Sequence, residues 1–156
     1  MRRKDREVTA PEEIADIMSR CEVVRLAINT DTVPYILPVN FGMEPDGMTL
    51  YIHGAMTGTK YEWIARDNRV SFEMDCSTEL ELNADNHECS MAYESVIGWG
   101  LVEELTEEND KRHALKQLMR QYHAEDFPFH EGLLPRTRIL KINVQGRTGK
   151  RRRKMV

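Results

Sequence analysis

The chain has 156 residues, of which 40% are hydrophobic and 31% are charged, a length and composition that suit one soluble domain with a sizeable core. Its 9 glycines and 6 prolines exclude collagen-like and low-complexity classes, and a formal net charge of −4 argues against nucleic acid as a partner. No segment is long and apolar enough to cross a membrane, no apolar signal core follows the charged start, and three cysteines do not make a secreted disulfide framework. We expect a single cytoplasmic domain over residues 1–156, with no membrane partner.

The start of the chain predicts a helix and then two strands. Thr9 and Glu12 have the spacing of a capping box, which predicts a helix that has Thr9 as its N-cap and ends near residues 19–20. Residues 23–28 are rich in branched side chains and predict a strand. Residues 33–41 alternate in polarity and predict a second strand, but its two prolines cannot donate ladder hydrogen bonds. We therefore expect this second strand to be irregular, at an edge or bulged.

A hairpin and a short helix are expected next. Asp46-Gly47 is a turn signal, and residues 49–53 return as a strand that we expect to pair with residues 33–41. A helix is predicted over residues 59–67 because its apolar side chains recur at helical spacing.

The middle of the chain predicts a strand over residues 69–75 and then an irregular segment. Residues 76–90 hold four acids and few large apolar side chains, so we expect a mobile acidic loop, with at most a short strand at 80–82. This segment contains three potential metal ligands without a fourth and without Cys-x-x-Cys spacing, and we predict no metal site. These three residues are Cys76, His87 and Cys89.

Residues 91–105 form the longest strand pattern of the chain. Ser95, Ile97 and Trp99 would share one face, whereas Val96 and two glycines would share the other, where the glycines indicate close packing or a bend.

The end of the chain predicts a helix, a strand and a basic tail. Thr106 is expected to cap a helix, and residues 137–145 predict the last strand. The basic tail at 150–154 is expected to be solvated, with binding of nucleic acid, anionic lipid or a second subunit as alternatives. About six strands interrupted by three helices predict a mainly β fold, an antiparallel barrel with appended helices.

Local chemistry singles out residues 50–60, where a strand runs into a small polar turn and a helix start. Free N–H groups at a helix start bind anions, and the two glycines of this turn let the backbone come close to one. The hydroxyls of Thr57 and Thr59 and the charge of Lys60 suit a phosphate. The alternative is an ordinary connection whose lysine is solvated.

Three segments resemble the FMN-binding split-barrel family that is related to pyridoxamine 5'-phosphate oxidase: residues 38–42 (Pro-Val-Asn-Phe-Gly), residues 50–60 and residues 93–100 (Tyr-Glu-Ser-Val-Ile-Gly-Trp-Gly). Within this family the chain is similar to the nitroimidazole-resistance-like flavoproteins, which also begin and end with basic segments of this kind. The resemblance covers nearly the whole chain. It implies a six-stranded antiparallel Greek-key split barrel and a homodimer with two FMN sites at the subunit interface.

The resemblance also implies, by position, which residues contact FMN. The ring and ribityl chain would lie along Val39, Asn40, Phe41, Ile52, His53 and Gly54, the phosphate at Thr57, Thr59 and Lys60, and the partner subunit would contribute Ser95 and Val96. Pyridoxamine 5'-phosphate oxidases use an Arg-Lys pair at the phosphate. Here Thr59-Lys60 lacks one of the two cations, which argues against pyridoxamine 5'-phosphate oxidation.

The function that the resemblance implies is an FMN-dependent oxidoreductase that reduces a small electron-poor acceptor such as a nitroaromatic. NADH or NADPH would bind only transiently, because the chain has no dinucleotide fingerprint. His53 is a candidate proton donor because histidine titrates near neutrality, and the alternative is a hydrogen-bonded histidine at a strand end. Two other functions stay open: a flavin-binding protein without turnover, and a barrel that holds haem or a deazaflavin.

Overall fold

The computed structural model describes residues 2–85 and 87–154, which form one antiparallel sheet with helices packed around it. The strands within these ranges are β1 (Glu7–Val8), β2 (Val24–Ile28), β3 (Tyr35–Val39), β4 (Gly42–Met43), β5 (Thr49–Gly54), β6 (Arg69–Asn83), β7 (Glu88–Leu105) and β8 (Arg138–Arg152). The α-helices are α1 (Pro11–Ser19), α2 (Thr59–Arg66) and α3 (Glu108–Gln121), and short 3-10 helices cover Lys4–Arg6 and Glu131–Arg136. None of the helices described is long and apolar enough to cross a membrane.

The sheet curls because its two edges are joined by a very short piece of chain. The strand order is β3-β2-β6-β7-β8-β5-β4, with β1 added beside β8. Strands β3 and β4 therefore lie at opposite ends of the order, yet only Asn40 and Phe41 separate them in sequence. The three Cα–Cα steps from Val39 to Gly42 span roughly 11 Å at most, so the edges must approach one another. The expected mainly β fold, an antiparallel split barrel with appended helices, is confirmed.

The core fills the inside of this curl. It contains branched and aromatic side chains from six strands, such as Phe72 and Ile142, and Phe41 from the link between β3 and β4, each at most 1% exposed. On β7, Val96, Gly98, Gly100 and Val102 face inward as the alternation predicted. A Cβ atom at Gly98 would lie 2.3 Å from Cζ of Phe72, so this glycine is required for the ring to pack against the strand.

The predicted pairing of residues 49–53 with residues 33–41 is wrong. Strand β3 pairs with β2 and is an edge strand, as its prolines suggested, whereas β5 pairs with β8 and with the two-residue strand β4. The reason is that the chain crosses from one sheet edge to the other at Asn40 and Phe41, and only then forms the hairpin through Asp46-Gly47.

The segment 76–90 is not a loop. Strand β6 continues to Asn83 and β7 begins at Glu88, so most of the segment is a β-hairpin, with an irregularity in register between Cys76 and Glu79. The acids are matched by the basic end of the chain: Glu81 is 7% exposed and pairs with Arg152. Strand β8 accordingly extends to Arg152, seven residues beyond its predicted end, and the basic tail is largely part of the sheet.

Two helix starts and the strand count also differ from the predictions. Helix α1 has Ala10 rather than Thr9 at its N-cap, because Pro11 occupies the first helical position, where no N–H group is needed. Helix α3 has Glu107 rather than Thr106 at its N-cap. The described part of the chain has eight strands where six were expected, since β1 and β4 are two-residue strands too short to show a pattern.

Candidate functional site

The turn between β5 and α2 ends in a helix start that no side chain caps. Gly58 is the N-cap of α2 and makes no side-chain cap hydrogen bond. Its φ of +153° is a conformation that other residues rarely adopt. Thr57 and Thr59 on either side are exposed. Of the first N–H groups of α2, that of Tyr61 donates to the Gly58 carbonyl at 3.0 Å. The helix start therefore lies at the surface between two hydroxyls, an arrangement that suits an anion.

Lys60 brings a positive charge to this turn. It is half-buried, and its Nζ lies 4.5 Å from the centre of the Tyr61 ring, a cation–π contact. No residue in the described ranges forms an ion pair with Lys60. The site thus holds a lysine whose charge is not balanced by a carboxylate.

Arg138 lies at the same place, and the sequence did not single it out. In the β5–β8 ladder it is the partner of Gly54, and its guanidinium lies 4.0 Å from the centre of the Tyr61 ring. It is held by a bidentate pair with Glu104, in which Nε donates to Oε1 at 2.8 Å, so Glu104 balances its charge. A cation at the first position of β8 could be assigned to this site only by knowing that β8 pairs with β5.

Gly54 allows these groups to come together. A Cβ atom at Gly54 would lie 2.6 Å from Oη of Tyr61 and 3.1 Å from Nζ of Lys60. The Tyr61 hydroxyl instead donates to the carbonyl of Ala55 at 2.8 Å. Glycine at position 54 is thus required by the packing of the turn as well as by any approach of a ligand.

His53 lies one residue before Gly54 and pairs with Ile139. The residue is exposed overall, but protein atoms around the imidazole bury part of it, and this burial is the main reason that its pKa is lowered. The positive charge of Lys60 lowers the pKa further. The imidazole is therefore mainly neutral at pH 7 and offers one donor and one acceptor nitrogen beside the turn. Its neighbour Ile52 is 1% exposed and points into the core.

The predicted cofactor residues Val39, Asn40 and Phe41 lie at the corner where the chain crosses between sheet edges. Phe41 is fully buried, whereas Val39 is half-buried and Asn40 exposed. The hydroxyl of Tyr122 accepts hydrogen bonds from the Phe41 backbone N–H and the Asn40 side-chain amide, each at 3.1 Å, and donates to the carbonyl of Glu22 at 2.7 Å.

Ser95 and Val96 are not brought to this turn within one chain. Ser95 pairs with Lys150, whereas the turn lies beside Arg138, at the other end of β8. The 12 residues from Arg138 to Lys150 correspond to roughly 40 Å along an extended strand. Ser95 is half-buried on the outward face of β7, and the Val96 side chain is fully buried in the core.

No group of three or more His, Cys, Asp or Glu side chains in the described ranges is arranged to hold a metal ion. The residues Cys76, His87 and Cys89 are thus not gathered into a metal site.

Several solved structures share the fold of this chain. It is similar to a proposed 5-nitroimidazole antibiotic resistance protein from Bacteroides thetaiotaomicron, with 29% identity and a TM-score of 0.81 over 92% of this chain and 85% of that one. It is also similar to a flavocytochrome from Azotobacter vinelandii, with 18% identity and a TM-score of 0.80 over 99% of this chain and 72% of that one. A FAD and heme binding protein from Mycobacterium smegmatis gives 20% identity and a TM-score of 0.79 over 96% and 74% of the two chains.

Comparison with the curated proteins gives no match. The sequence model described as pyridoxamine 5'-phosphate oxidase matches residues 10–151, which is nearly the whole chain and includes every predicted cofactor residue. The chain therefore belongs to the pyridoxamine 5'-phosphate oxidase-related family of split barrels.

Proposed function

We propose that this protein binds FMN, with the phosphate at the start of α2. The observation that carries the proposal is Lys60, a half-buried cation with no ion pair in the part of the chain described, beside an uncapped helix start. A dianionic phosphate would satisfy both the orphan N–H groups and the lysine charge. Thr57 and Thr59 would add hydroxyl donors, and Arg138, whose charge is balanced by Glu104, would add its remaining guanidinium N–H groups.

The rest of the cofactor would lie along the neighbouring backbone. The side chains of Phe41, Ile52 and Val96 are in the core, so these residues would contact FMN through backbone groups only. Asn40, His53 and Ser95 have side chains that are exposed or half-buried and can reach a ligand. Support comes from the similar structures, which include flavin-binding proteins. Because the site offers one helix start with one unbalanced lysine, we propose FMN rather than FAD.

We propose that the site is completed by a second copy of the chain. The outward face of β7 has three large apolar side chains in a row, Ile97, Trp99 and Leu101, with 59%, 50% and 37% of their surface exposed. A contiguous exposed apolar stripe of this kind is typical of an interface. Ser95 lies on the same face, so a homodimer that covers the stripe could bring Ser95 to the partner's cofactor.

We propose an oxidoreductase that reduces a small electron-poor acceptor, with NADH or NADPH as a transient donor. Bound FMN would supply the electron transfer. The chain's own part is to hold the cofactor, to keep one face of it accessible and to place the neutral His53 imidazole where it can donate a hydrogen bond to the acceptor. Nothing in this role requires a catalytic triad.

The first test is cofactor binding by purified protein. We expect the spectrum of oxidised flavin after addition of FMN and micromolar affinity in calorimetry. Replacing Lys60→Ala should weaken FMN binding by tenfold or more, about 1.4 kcal/mol, and leave riboflavin binding nearly unchanged, because riboflavin has no phosphate. Lys116→Ala, an exposed lysine on α3, is the matched control and should bind FMN as the wild type does.

Each outcome of this test has a clear meaning. Equal loss of FMN and riboflavin affinity would remove Lys60 from the phosphate site, and tighter binding of FAD than of FMN would contradict the choice of cofactor. A Soret band on purification would instead favour haem. Anaerobic bleaching of the flavin by NADH or NADPH, reversed by a nitroimidazole, would support the oxidoreductase, whereas absence of bleaching would favour a flavin-binding protein without turnover.

A further inference from the structure

We propose that Cys21 and Cys76 form a reversible redox pair that hydroperoxides oxidise to a disulfide. The two cysteines are 55 positions apart in sequence, but the fold brings them together at the end of α1. Both thiols lie on the same backbone carbonyl, that of Ile17, with Sγ of Cys21 at 3.2 Å and Sγ of Cys76 at 3.8 Å. The third cysteine, Cys89, is exposed on β7 and belongs to neither contact.

The two thiols share one acceptor, the Ile17 carbonyl, and differ in burial. The pKa of Cys21 is raised above its ordinary value, first by burial and then by its contact with Cys76. Cys21 therefore stays a neutral thiol at pH 7, and the half-buried Cys76 is the sulfur that solvent reaches more easily. This division suits a pair in which one cysteine is oxidised first and the other resolves it.

A cation lies beside Cys76. Nη1 of Arg20 lies 3.7 Å from Sγ of Cys76 and also pairs with Glu94, and Nη2 pairs with Asp16. The hydroxyl of Ser77 donates to the same sulfur at 3.7 Å. A guanidinium and a hydroxyl thus lie at hydrogen-bond distance from this sulfur, which attacks a peroxide in its thiolate form.

The surroundings of the two cysteines allow an oxidant to approach and allow Cys76 to move. Arg20 and Cys21 line a groove of about 1000 Å³ between α1, the turn after β4 and the end of α3. Cys76 does not line this groove, but it is itself only half-buried, so a small oxidant can approach it from solvent. Cys76 stands where the β6–β7 register slips, and Ser77 has a φ of +55°. Strand pairing is locally interrupted there, so Cys76 can shift toward Cys21 without breaking a regular ladder.

The reaction balances in two steps. The Cys76 thiolate attacks one oxygen of hydrogen peroxide, the O–O bond breaks, and a sulfenic acid and hydroxide form. The Cys21 sulfur then attacks the Cys76 sulfur, the S–O bond breaks, and the leaving hydroxide takes the Cys21 proton as water. The two thiols together lose two electrons and two protons, and the peroxide is reduced to water. A reducing compartment returns the pair to thiols, which suits a transient disulfide.

The test uses the full-length protein and hydrogen peroxide at a stoichiometric amount. After quenching with an alkylating agent and unfolding, we expect the free thiols to fall from three to one, the remaining one on Cys89. Peptide mapping should show a Cys21–Cys76 cross-link, and dithiothreitol should restore all three thiols. Cys76→Ser should lose the cross-link, whereas Cys89→Ser, the matched control, should form it at the wild-type rate.

Three results would overturn the proposal: retention of three thiols, cross-links that run through Cys89, or a Cys76 that is overoxidised while Cys21 stays free. Peptide mapping of the wild type decides among these without any variant, so a substitution that impaired folding would not leave the question open.

Discussion

Glu94 shows at the level of one residue how a charge is kept on the inner face of the sheet. Only 9% of the residue is exposed, and it is held by Arg20, Arg151 and Ser77. Burial by itself would raise the pKa of the carboxyl, but the hydrogen bonds from the two arginines and the serine outweigh it and lower the pKa to about 2. The carboxylate is therefore charged in the folded state down to unusually low pH.

Replacing Glu94→Gln should lower the free energy of unfolding at pH 7 by about 2 kcal/mol, because it leaves Arg20 and Arg151 close together without an anion. This loss of unfolding free energy is smaller than that expected for a fully buried ion pair, because 38% of the Arg20 side chain is exposed. The pKa in the folded state is lower than the ordinary 4.5, so the stabilisation is present above pH 4.5 and is lost as the pH falls toward 2. Urea unfolding at pH 7 and at pH 3 checks both parts.

The wild-type and Glu94→Gln proteins should accordingly converge at acid pH, and a difference that stays constant between pH 7 and pH 3 would contradict the assignment. Glu62→Gln is the control, because Glu62 is exposed on α2 and makes no ion pair with the described residues. It should leave the unfolding free energy within about 0.5 kcal/mol of the wild type at both pH values.

The candidate phosphate site could be predicted only in part from the residues themselves. Lys60 stands out because the turn, the glycines and the helix start are all local in sequence. Arg138 joins it only through the pairing of β8 with β5, strands that are far apart in the chain, and packs against the Tyr61 ring beside Lys60. The same holds for Cys21 and Cys76, whose separate positions give no sign of their contact.

At the scale of the elements, the packing of β7 against the core requires a glycine at position 98 of its inward face. Replacing Gly98→Ala should destabilise the protein by about 2 kcal/mol, because the new methyl group would lie 2.3 Å from Cζ of Phe72 and 2.8 Å from the carbonyl of Gly146. Thermal or urea unfolding measures the effect. Gly132→Ala is the control, since there the near atoms belong to the His130 side chain, which can move.

Replacing the Phe72 ring by a smaller side chain tests whether the destabilisation by Gly98→Ala comes from overpacking. In a double-mutant cycle with Phe72→Leu, we expect part of the Gly98→Ala loss to be recovered, because the clash with the ring disappears while the one with the Gly146 carbonyl stays. Strict additivity of the two substitutions would mean that Phe72 is not the group that requires glycine at position 98.

The β6–β7 hairpin shows which elements sequence patterns miss. The alternation of Val96, Gly98 and Gly100 with exposed residues was visible because its inner face is apolar or empty. Along the hairpin, an inner position is taken by Glu81, whose partner Arg152 lies 71 residues later. An acid that is buried by a distant arginine has the same sequence signal as an acid in a solvated loop, so this segment was predicted as a loop.

At the scale of the whole molecule, one chain presents only part of the proposed site. The groove of about 1000 Å³ beside α1 and α3 has none of the predicted cofactor residues among its lining residues. The predicted residues with accessible side chains instead lie at the open turn, at the corner formed by residues 39–41 and on the outward face of β7. The turn and Ser95 are roughly 40 Å apart along β8. A shared site would gain its remaining walls from the second subunit.

Replacing Trp99→Glu should therefore convert a homodimer into a monomer, because it would bury a charge in the apolar stripe of β7. Light scattering after size exclusion should give twice the 18.2 kDa of one chain for the wild type and the single-chain mass for the variant. FMN affinity should fall in parallel by at least tenfold. Phe127→Glu, at an exposed position outside the sheet, is the control and should stay dimeric.

Either of two observations would refute the shared site: a wild-type protein that is monomeric while it binds FMN tightly, or a monomeric Trp99→Glu protein with unchanged FMN affinity. A variant that stays dimeric would move the interface away from the β7 stripe.

The hydroxyl of Tyr122 has a consequence for how this fold can change over evolution. It bonds at once to the Phe41 N–H, the Asn40 amide and the Glu22 carbonyl. The corner where the chain passes between the two sheet edges is thus anchored to the end of α3. Insertions or deletions in α3 would be transmitted to residues 39–41, so a lineage that lengthens this helix would shift these residues of the proposed site without substituting any of them.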